Sequence, residues 1–450
     1  MDVIRRRCTG AAALAAFLAV GAAAWAQISE PAPWAHGGSK PANLVFTLVT
    51  EGRATPIYTW WGHTGIIVED TKLKQSRMYN YGLFSFDKSG FVRDTIMGRL
   101  WFGIGGFPTA EDLQFEKGIG RDIRLQTLNL LPDQKLTLAA ALERDILPEN
   151  RIYLYDHYRD NCTTRVRDRI DQAIGGRLAQ ATSGPARMSL RDHTRRYTSR
   201  SAVMDWLIMF VLAASVDRRA TQWQEMFLPE ELERDVRLVK IPDGNGGEMP
   251  LVASESMYAN DNPVPPAPQI PPTGWPFALL FGCVVAVIAA ALGLWVRTGR
   301  PAARVALGTY SAIVGFAFGL LGCVLFFLSN FTDHAITYWN ENLLLANPLT
   351  LAALPLGILL ASDWGRRASR YNLLAALWWG LSGIAGLYLI AKFPFGAHQD
   401  NLQAIVTMVP VLLGFSAAFW IGRPAALRLR GPARRLREKR RAQNHPSVVR

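Results

Sequence analysis

Four cysteines in 450 residues is a small number, and their placement makes it smaller still. Cys8 lies in an N-terminal apolar stretch, Cys283 and Cys323 lie in long hydrophobic runs, and Cys162 alone falls in the part of the chain with ordinary mixed composition. One thiol cannot form a disulfide framework there. Metal-ligand spacings are missing as well: the chain has no His-Glu-x-x-His and no paired Cys-x-x-Cys. No phosphate loop is present, because the glycine-rich Phe102-Gly-Ile-Gly-Gly-Phe107 shows no strand-to-helix context. No metal and no cofactor is therefore expected. The net charge of +13 does not point to nucleic acid. Residues 423–450 hold ten Lys or Arg against one Glu, so nine of the thirteen charges sit in that tail.

What is there divides the chain in two. Residues 1–26 read as an export signal: Arg5, Arg6 and Arg7, then an apolar run from Ala11 to Ala24, then the small-x-small site Ala24-Trp25-Ala26. An uncleaved anchor is the alternative, and both put residue 27 onward outside the cytoplasm. A mixed-composition domain spans 40–250, and a Pro-rich linker spans 251–274. Five apolar segments follow within 275–421, at roughly 275–296, 306–328, 348–361, 371–391 and 402–421. Four are long enough to cross a hydrocarbon core of about 30 Å. The third is short, carries Pro348 and Pro355, and reads as tilted, broken or re-entrant. Arg297, Arg300 and Arg304, then Arg366, Arg367 and Arg370, then the tail 422–450 mark alternate loops as cytoplasmic, which requires five crossings. The tail reads as an anchor against anionic lipid. These features predict a multi-pass protein of a bacterial cytoplasmic (inner) membrane with its domain on the extracytoplasmic side.

In that domain, residues 43–50, 62–69 and 76–82 alternate like strands, 121–129 suggests another, and 132–147 and 162–180 read as helices. The fold class is α+β with an antiparallel sheet, followed by an all-α membrane bundle of about five helices. Asn161 is a good N-cap, and Val166, Ile170 and Ile174 recur four apart, so Cys162 falls in the first turn of a helix, where unpaired N–H groups and the dipole favour a thiolate. An unpaired thiol in polar surroundings outside the cell points to a nucleophile; a buried structural cysteine is the alternative. The nucleophile needs a base. His63, flanked by Gly62 and Gly65 at the start of a strand, is the first candidate. His157 precedes the helix, and His193 lies among arginines in what reads as a solvated stretch. Residues 204–216 are apolar but too short to span, and fit either an interfacial or re-entrant helix or a buried core helix. The outer loop Phe331–Pro348, with His334, Asn340 and Asn342 among aromatic and leucine residues, suits either a site at the water–lipid boundary or plain interfacial capping.

A histidine on a strand followed by Asn-Cys opening a helix resembles circularly permuted papain-like enzymes. The closer resemblance is to the Lnb family of lipoprotein N-acyltransferases. It is carried by Gly62-His63-x-x-Ile66, Tyr79-Asn80-Tyr81-Gly82-x-Phe84-x-Phe86, Asp160-Asn161-Cys162-Thr163-Thr164-Arg165-x-x-Asp168, Met226-Phe227-Leu228-Pro229-x-x-Leu232 and the loop His334 to Pro348. The resemblance implies a Cys/His dyad at Cys162 and His63. Asn80 is the candidate third catalytic residue, since the strand after His63 should pair beside it. Asn161, Trp61 and Tyr81, with His334, Asn340 and Asn342 of the outer loop, are the candidate substrate-binding residues. The implied reaction moves a fatty acyl chain from a lipid ester to an amine through a thioester, with membrane lipids and diacylglyceryl lipoproteins as partners. Competing readings are a Cys/His amidase or peptidase, a lipid acyl hydrolase, and a non-enzymatic membrane scaffold.

Overall fold

The computed structural model describes residues 30–84, 89–261, 264–362, 367–395 and 399–423. The expected signal segment 1–26, Arg366 and nearly all of the basic tail lie outside the described residues. The chain forms two compact units: one runs to Arg200 and resumes over Val216–Pro272, and the other takes Ser201–Ser215 and everything from Thr273.

The first unit is built on a seven-stranded sheet. Its strands are β1 (Leu44–Glu51), β2 (His63–Asp70), β3 (Gln75–Leu83), β4 (Trp101–Pro108), β5 (Ile123–Leu128), β6 (Ile152–Leu154) and β7 (Val252–Tyr258), in the order β7-β5-β1-β2-β3-β4-β6. Every neighbouring pair is antiparallel. Alternation along the strands gives the sheet two apolar faces. Leu44, Phe46, Leu48, Ile66, Val68, Tyr79 and Tyr81 pack with α2 (Pro132–Asp145) and α3 (Cys162–Ala173), which contribute Leu138, Leu142, Val166 and Ile170. Each such side chain, fully buried, contributes roughly 1.5–3 kcal/mol. On the other face Val49, Ile67, Met78 and Ile123 meet Leu113 of α1 (Thr109–Gly118).

Three expectations need correction. Residues 252–258, assigned to the linker, form the edge strand β7 against β5; their alternation was hidden by the prolines that follow. The glycine-rich segment is β4 and leads directly into α1, so a strand-to-helix context does exist. Its glycines are nonetheless held in the ladder, with Gly105 opposite Asn80 and Gly106 opposite Tyr79, and form no phosphate-binding loop. His193 is fully buried rather than solvated: its Nε2 lies 2.9 Å from Glu225, and its neighbour Arg196, also buried, bonds Glu231. Acids from Gln222–Glu225 and Pro229–Val236 pair this cationic helix inside the fold.

Among the described residues, the second unit holds five helical segments long and apolar enough to cross a membrane: Trp275–Val296, Pro301–Phe331, Glu341–Ala361, Ser369–Lys392 and Leu402–Ile421. The third is broken, with 3₁₀ turns at Glu341–Leu344 and Pro348–Ala352 leading into an α-helix at Ala353–Ala361. It can lie close to the second because that helix presents glycines: a Cβ on Gly319 would collide with the Leu351 nitrogen, and one on Gly308 would stand 2.7 Å from the Gly357 carbonyl. Helix α4 (Ala202–Val211), from the apolar segment of ambiguous reading, belongs to this unit, where Phe210 joins the buried core and Trp206 donates to Thr407.

Candidate active site

Each reactive side chain is placed by a local necessity of the sequence. Gly62 has φ +79°, and a Cβ there would come 2.7 Å from the Glu51 carbonyl. The chain therefore turns tightly after Trp60 and Trp61 and delivers His63 as the first residue of β2, opposite Glu51. Asn80 lies on β3 opposite Gly65. A Cβ on Gly65 would stand 2.8 Å from Asn80 Oδ1, so the missing side chain leaves space for the Asn80 amide. Cys162 opens α3. Asn161 caps that helix: its Oδ1 accepts from the Thr163 and Thr164 N–H groups at 2.9 and 2.8 Å, and its Nδ2 donates to the His157 and Phe227 carbonyls at 2.8 and 2.9 Å.

These elements bring Cys162, His63 and Asn80 together. Cys162 and His63 both line one cavity and are near enough for each to shift the other's ionisation. His63 Nε2 lies 3.2 Å from Asn80 Oδ1, and Asn80 Nδ2 donates to Asp112 Oδ1 at 2.6 Å. With its NH₂ given to Asp112, the amide presents its oxygen to the imidazole, and Nε2 carries a proton. Nδ1 is left for the thiol. Burial alone would raise the Cys162 pKa; the His63 charge and hydrogen bonds from His63, Thr163 and the Thr64 backbone outweigh it and bring the thiol down to about 7. Burial alone would lower the His63 pKa, but the Cys162 thiolate and the Glu51 carboxylate raise it to about 10. Each group thus stabilises the other's charged form, and at pH 7 roughly half of the pair is thiolate and imidazolium.

Behind His63 stands an acidic cluster that sequence reasoning missed. Arg121 Nη1 bonds Glu51 Oε2 at 2.5 Å, and Arg121 Nε lies 3.1 Å from Glu116 Oε2. Burial, reinforced by the Glu51 charge and opposed by Arg121, pushes Glu116 up to about 8. Burial and the Glu116 charge push Asp112 up to about 7. Glu51 is raised as well, by burial first and against the opposing charges of His63 and Arg121. The available signal was the spacing of Asp112 and Glu116, four apart on one helical face, with Glu51 closing an apolar strand.

The dyad opens into a cavity of about 540 Å³. Trp61, Phe84, Phe102, Phe107, Phe115 and Tyr155 give it an aromatic wall, and Glu111, Asp112 and Glu116 give it an acidic one. Phe84 stacks on Phe102 at 5.1 Å, and Phe102 lies tilted against Tyr155 at 4.4 Å. His157 also lines the cavity, edge-on to Trp61 at 5.1 Å and Phe227 at 5.4 Å. Burial drives its pKa down to about 4, so it is neutral.

Of the expected substrate-binding residues, Trp61 lines this cavity. Tyr81 does not: it is fully buried in the core, and its hydroxyl donates to Asp145 at 2.8 Å. Strand alternation turns Tyr81 to the face opposite Asn80. Asn161 borders the cavity, but both its amide hydrogens and its oxygen are engaged within the fold, so its role is to fix the thiol-bearing helix. His334, Asn340 and Asn342 belong to the membrane unit. Both asparagines are buried there and bond the end of α4: Asn340 Nδ2 donates to the Val211 carbonyl at 2.9 Å and Asn342 Nδ2 to the Phe210 carbonyl at 2.8 Å. Their oxygens accept from Gln399 at 3.0 Å and Asn401 at 2.8 Å, which gives these residues a structural use rather than a free surface for substrate. His334 is half-buried in the same loop. Lys392 pairs with Glu341 at 2.8 Å.

Residues 30–199 match the family model described as the Lnb N-terminal periplasmic domain, and residues 276–378 match that described as the Lnb transmembrane domain. No curated protein and no solved structure gives a significant match.

Proposed function

Since the chain belongs to the Lnb family, a multi-pass inner-membrane protein with an extracytoplasmic domain, we propose that it is a membrane-bound acyltransferase that works through a thioester on Cys162. The observation that carries this reading is the Cys162–His63–Asn80 arrangement opening into an aromatic-walled cavity, in a chain whose other unit is built of membrane-spanning helices. In the first step the Cys162 thiolate attacks the carbonyl carbon of a lipid ester. The C–S bond forms, the C–O bond breaks, and His63 gives its proton to the departing alcohol. In the second step an amine attacks the thioester, His63 takes a proton from it, the C–S bond breaks and an amide is released. Asn80 holds the imidazole through Nε2 in both steps. The substrate that fits this scheme within the family is a diacylglyceryl lipoprotein, whose own N-terminal amine accepts the chain and leaves a lyso-form lipoprotein.

The test uses the full chain in detergent with a diacylglyceryl lipopeptide labelled in its acyl chains. Expected are a covalent adduct at Cys162 that neutral hydroxylamine removes, its discharge to an amine, and no adduct in Cys162→Ala. Discharge to water alone would make the protein an acyl hydrolase. Acyl transfer by Cys162→Ala would end the covalent mechanism. Cleavage of cell-wall peptides without any acyl adduct would favour an amidase, and an unchanged lipoprotein acylation phenotype in Cys162→Ser and His63→Ala cells would favour a scaffold.

A further inference from the structure

We propose that Asp112 is a positioning residue of this site, the fourth member of a chain that runs Cys162, His63, Asn80, Asp112. The inference rests on the dyad reading above, but it does not depend on which acyl donor or acceptor is used. An asparagine amide is nearly symmetric in shape, and its two ends differ only in hydrogen bonding. With its oxygen toward His63, Asn80 accepts from Nε2–H and leaves Nδ1 facing the thiol. With its NH₂ toward His63, it donates to Nε2, moves the proton to Nδ1 in the neutral ring, and repels the imidazolium. Something must select the first state. Asp112 does so, because its Oδ1 accepts from Asn80 Nδ2 at 2.6 Å while Asn80 Oδ1 stands 3.2 Å from His63.

The fold supports the selection from several sides. Asp112 stands in the first turn of α1, which β4 delivers without an intervening loop, and β4 pairs with β3 so that Gly105 lies opposite Asn80. A Cβ on Gly105 would collide with Leu83 at 2.8 Å and Phe107 at 3.1 Å, so the glycine keeps that strand close to β3. The charged groups around Asp112 are His63, Glu116, Arg121 and, farther in, Glu51. Arg121 is engaged by Glu51 and Glu116, which leaves Asp112 as the carboxylate committed to the amide.

The test reads the thiol itself and needs no lipid. The rate of Cys162 alkylation by iodoacetamide is followed against pH in the full-length protein by peptide mass spectrometry. Asp112→Leu removes the acceptor and should slow alkylation at neutral pH about tenfold, the weight of one well-made hydrogen bond. Asp112→Asn keeps an acceptor without the charge and should restore most of the rate. In an Asn80→Ala background Asp112→Leu should add nothing, since its effect passes through the amide. Equal thermal denaturation of the variants separates this from loss of fold. If the leucine variant does not fold, Asp112→Ser serves in the same comparison. A wild-type rate in folded Asp112→Leu, or an undiminished Asp112→Leu effect on top of Asn80→Ala, overturns the proposal; so does an Asp112→Asn rate as low as that of Asp112→Leu, which would assign the effect to charge. A lipid assay that fails while these alkylation results hold would overturn the acyl-transfer reading and leave this one standing.

Discussion

Replacing His63 by alanine perturbs the thiol in a way that can be worked out from the site. The folded protein brings Cys162 from 9.0 to about 7, so roughly half of it is thiolate at pH 7. Without the imidazolium, burial acts unopposed and the pKa returns to 9 or above, leaving about one per cent thiolate at that pH. The population falls about 50-fold. A more basic thiolate is also a better nucleophile, with a Brønsted slope of about 0.4–0.5, which returns a factor of roughly six to ten. The net expectation is alkylation of Cys162 slowed about fivefold or more at pH 7, with the two curves crossing at about pH 8. The assay is iodoacetamide labelling read at the Cys162 peptide, so that Cys283 and Cys323 do not contribute. Turnover in the wild type should rise through pH about 7, as the thiolate forms, and fall through about 10, as His63 loses the proton the leaving alcohol needs. Superimposable alkylation curves for wild type and His63→Ala, both with a midpoint near 9, would refute the ion pair.

Further expectations concern the scaffold. Gly62→Ala places a side chain at φ +79° and 2.7 Å from the Glu51 carbonyl, so it should destabilise the first unit by about 2 kcal/mol or more; an unchanged thermal midpoint would show that this turn does not require glycine. Asn161→Ala removes the cap of α3 and two further hydrogen bonds, and chemical denaturation should show a loss of about 1–3 kcal/mol, whereas a loss within error would mean that the thiol-bearing helix is held by packing alone. Asn342→Leu leaves the Phe210 carbonyl and the Asn401 amide short of a partner, and protease cleavage within 201–215 should quicken; no change in cleavage would show that the asparagine does not hold α4.

The strands of the site were legible because their signals are local. Phe46, Thr47 and Leu48 alternate, and Gly62 announces a turn before His63. Asn161, with apolar positions four apart after it, announces a helix that opens on the thiol. The pairing of β2 with β3 followed from their short connection, and it was enough to suggest Asn80. What escaped depends on long-range encounters. Nothing near Glu51 says that Arg121, seventy residues on, will meet it, and periodicity cannot say that a run as polar as Arg191–Arg196 will be buried against Glu225 and Glu231. Tyr81 and Asn80 are adjacent in sequence, and only the strand's two-residue period, once its register is known, separates the core side from the cavity side. The outer-loop asparagines looked like a binding surface because polar groups among apolar neighbours need partners; the partners turned out to be the last carbonyls of α4, which every helix leaves unsatisfied.

Helix α4 also bears on how this molecule can be taken apart or recombined. The polypeptide leaves the sheet-based unit after Arg200, contributes Ser201–Ser215 to the bundle, and returns at Val216 before the final departure near Pro272. The Pro-rich stretch, the obvious place to cut, therefore does not separate two independent modules. A fragment ending there would carry Trp206, Met209 and Phe210 into water stripped of Thr407, Gln399 and the loop asparagines, and a bundle expressed without it would have a groove where α4 belongs. A chimaera that joined this sheet-based half to another member's bundle at the prolines would bring a helix shaped for the wrong host. The two halves are bound to change together, and any graft between relatives has to move residues 201–215 with the membrane part.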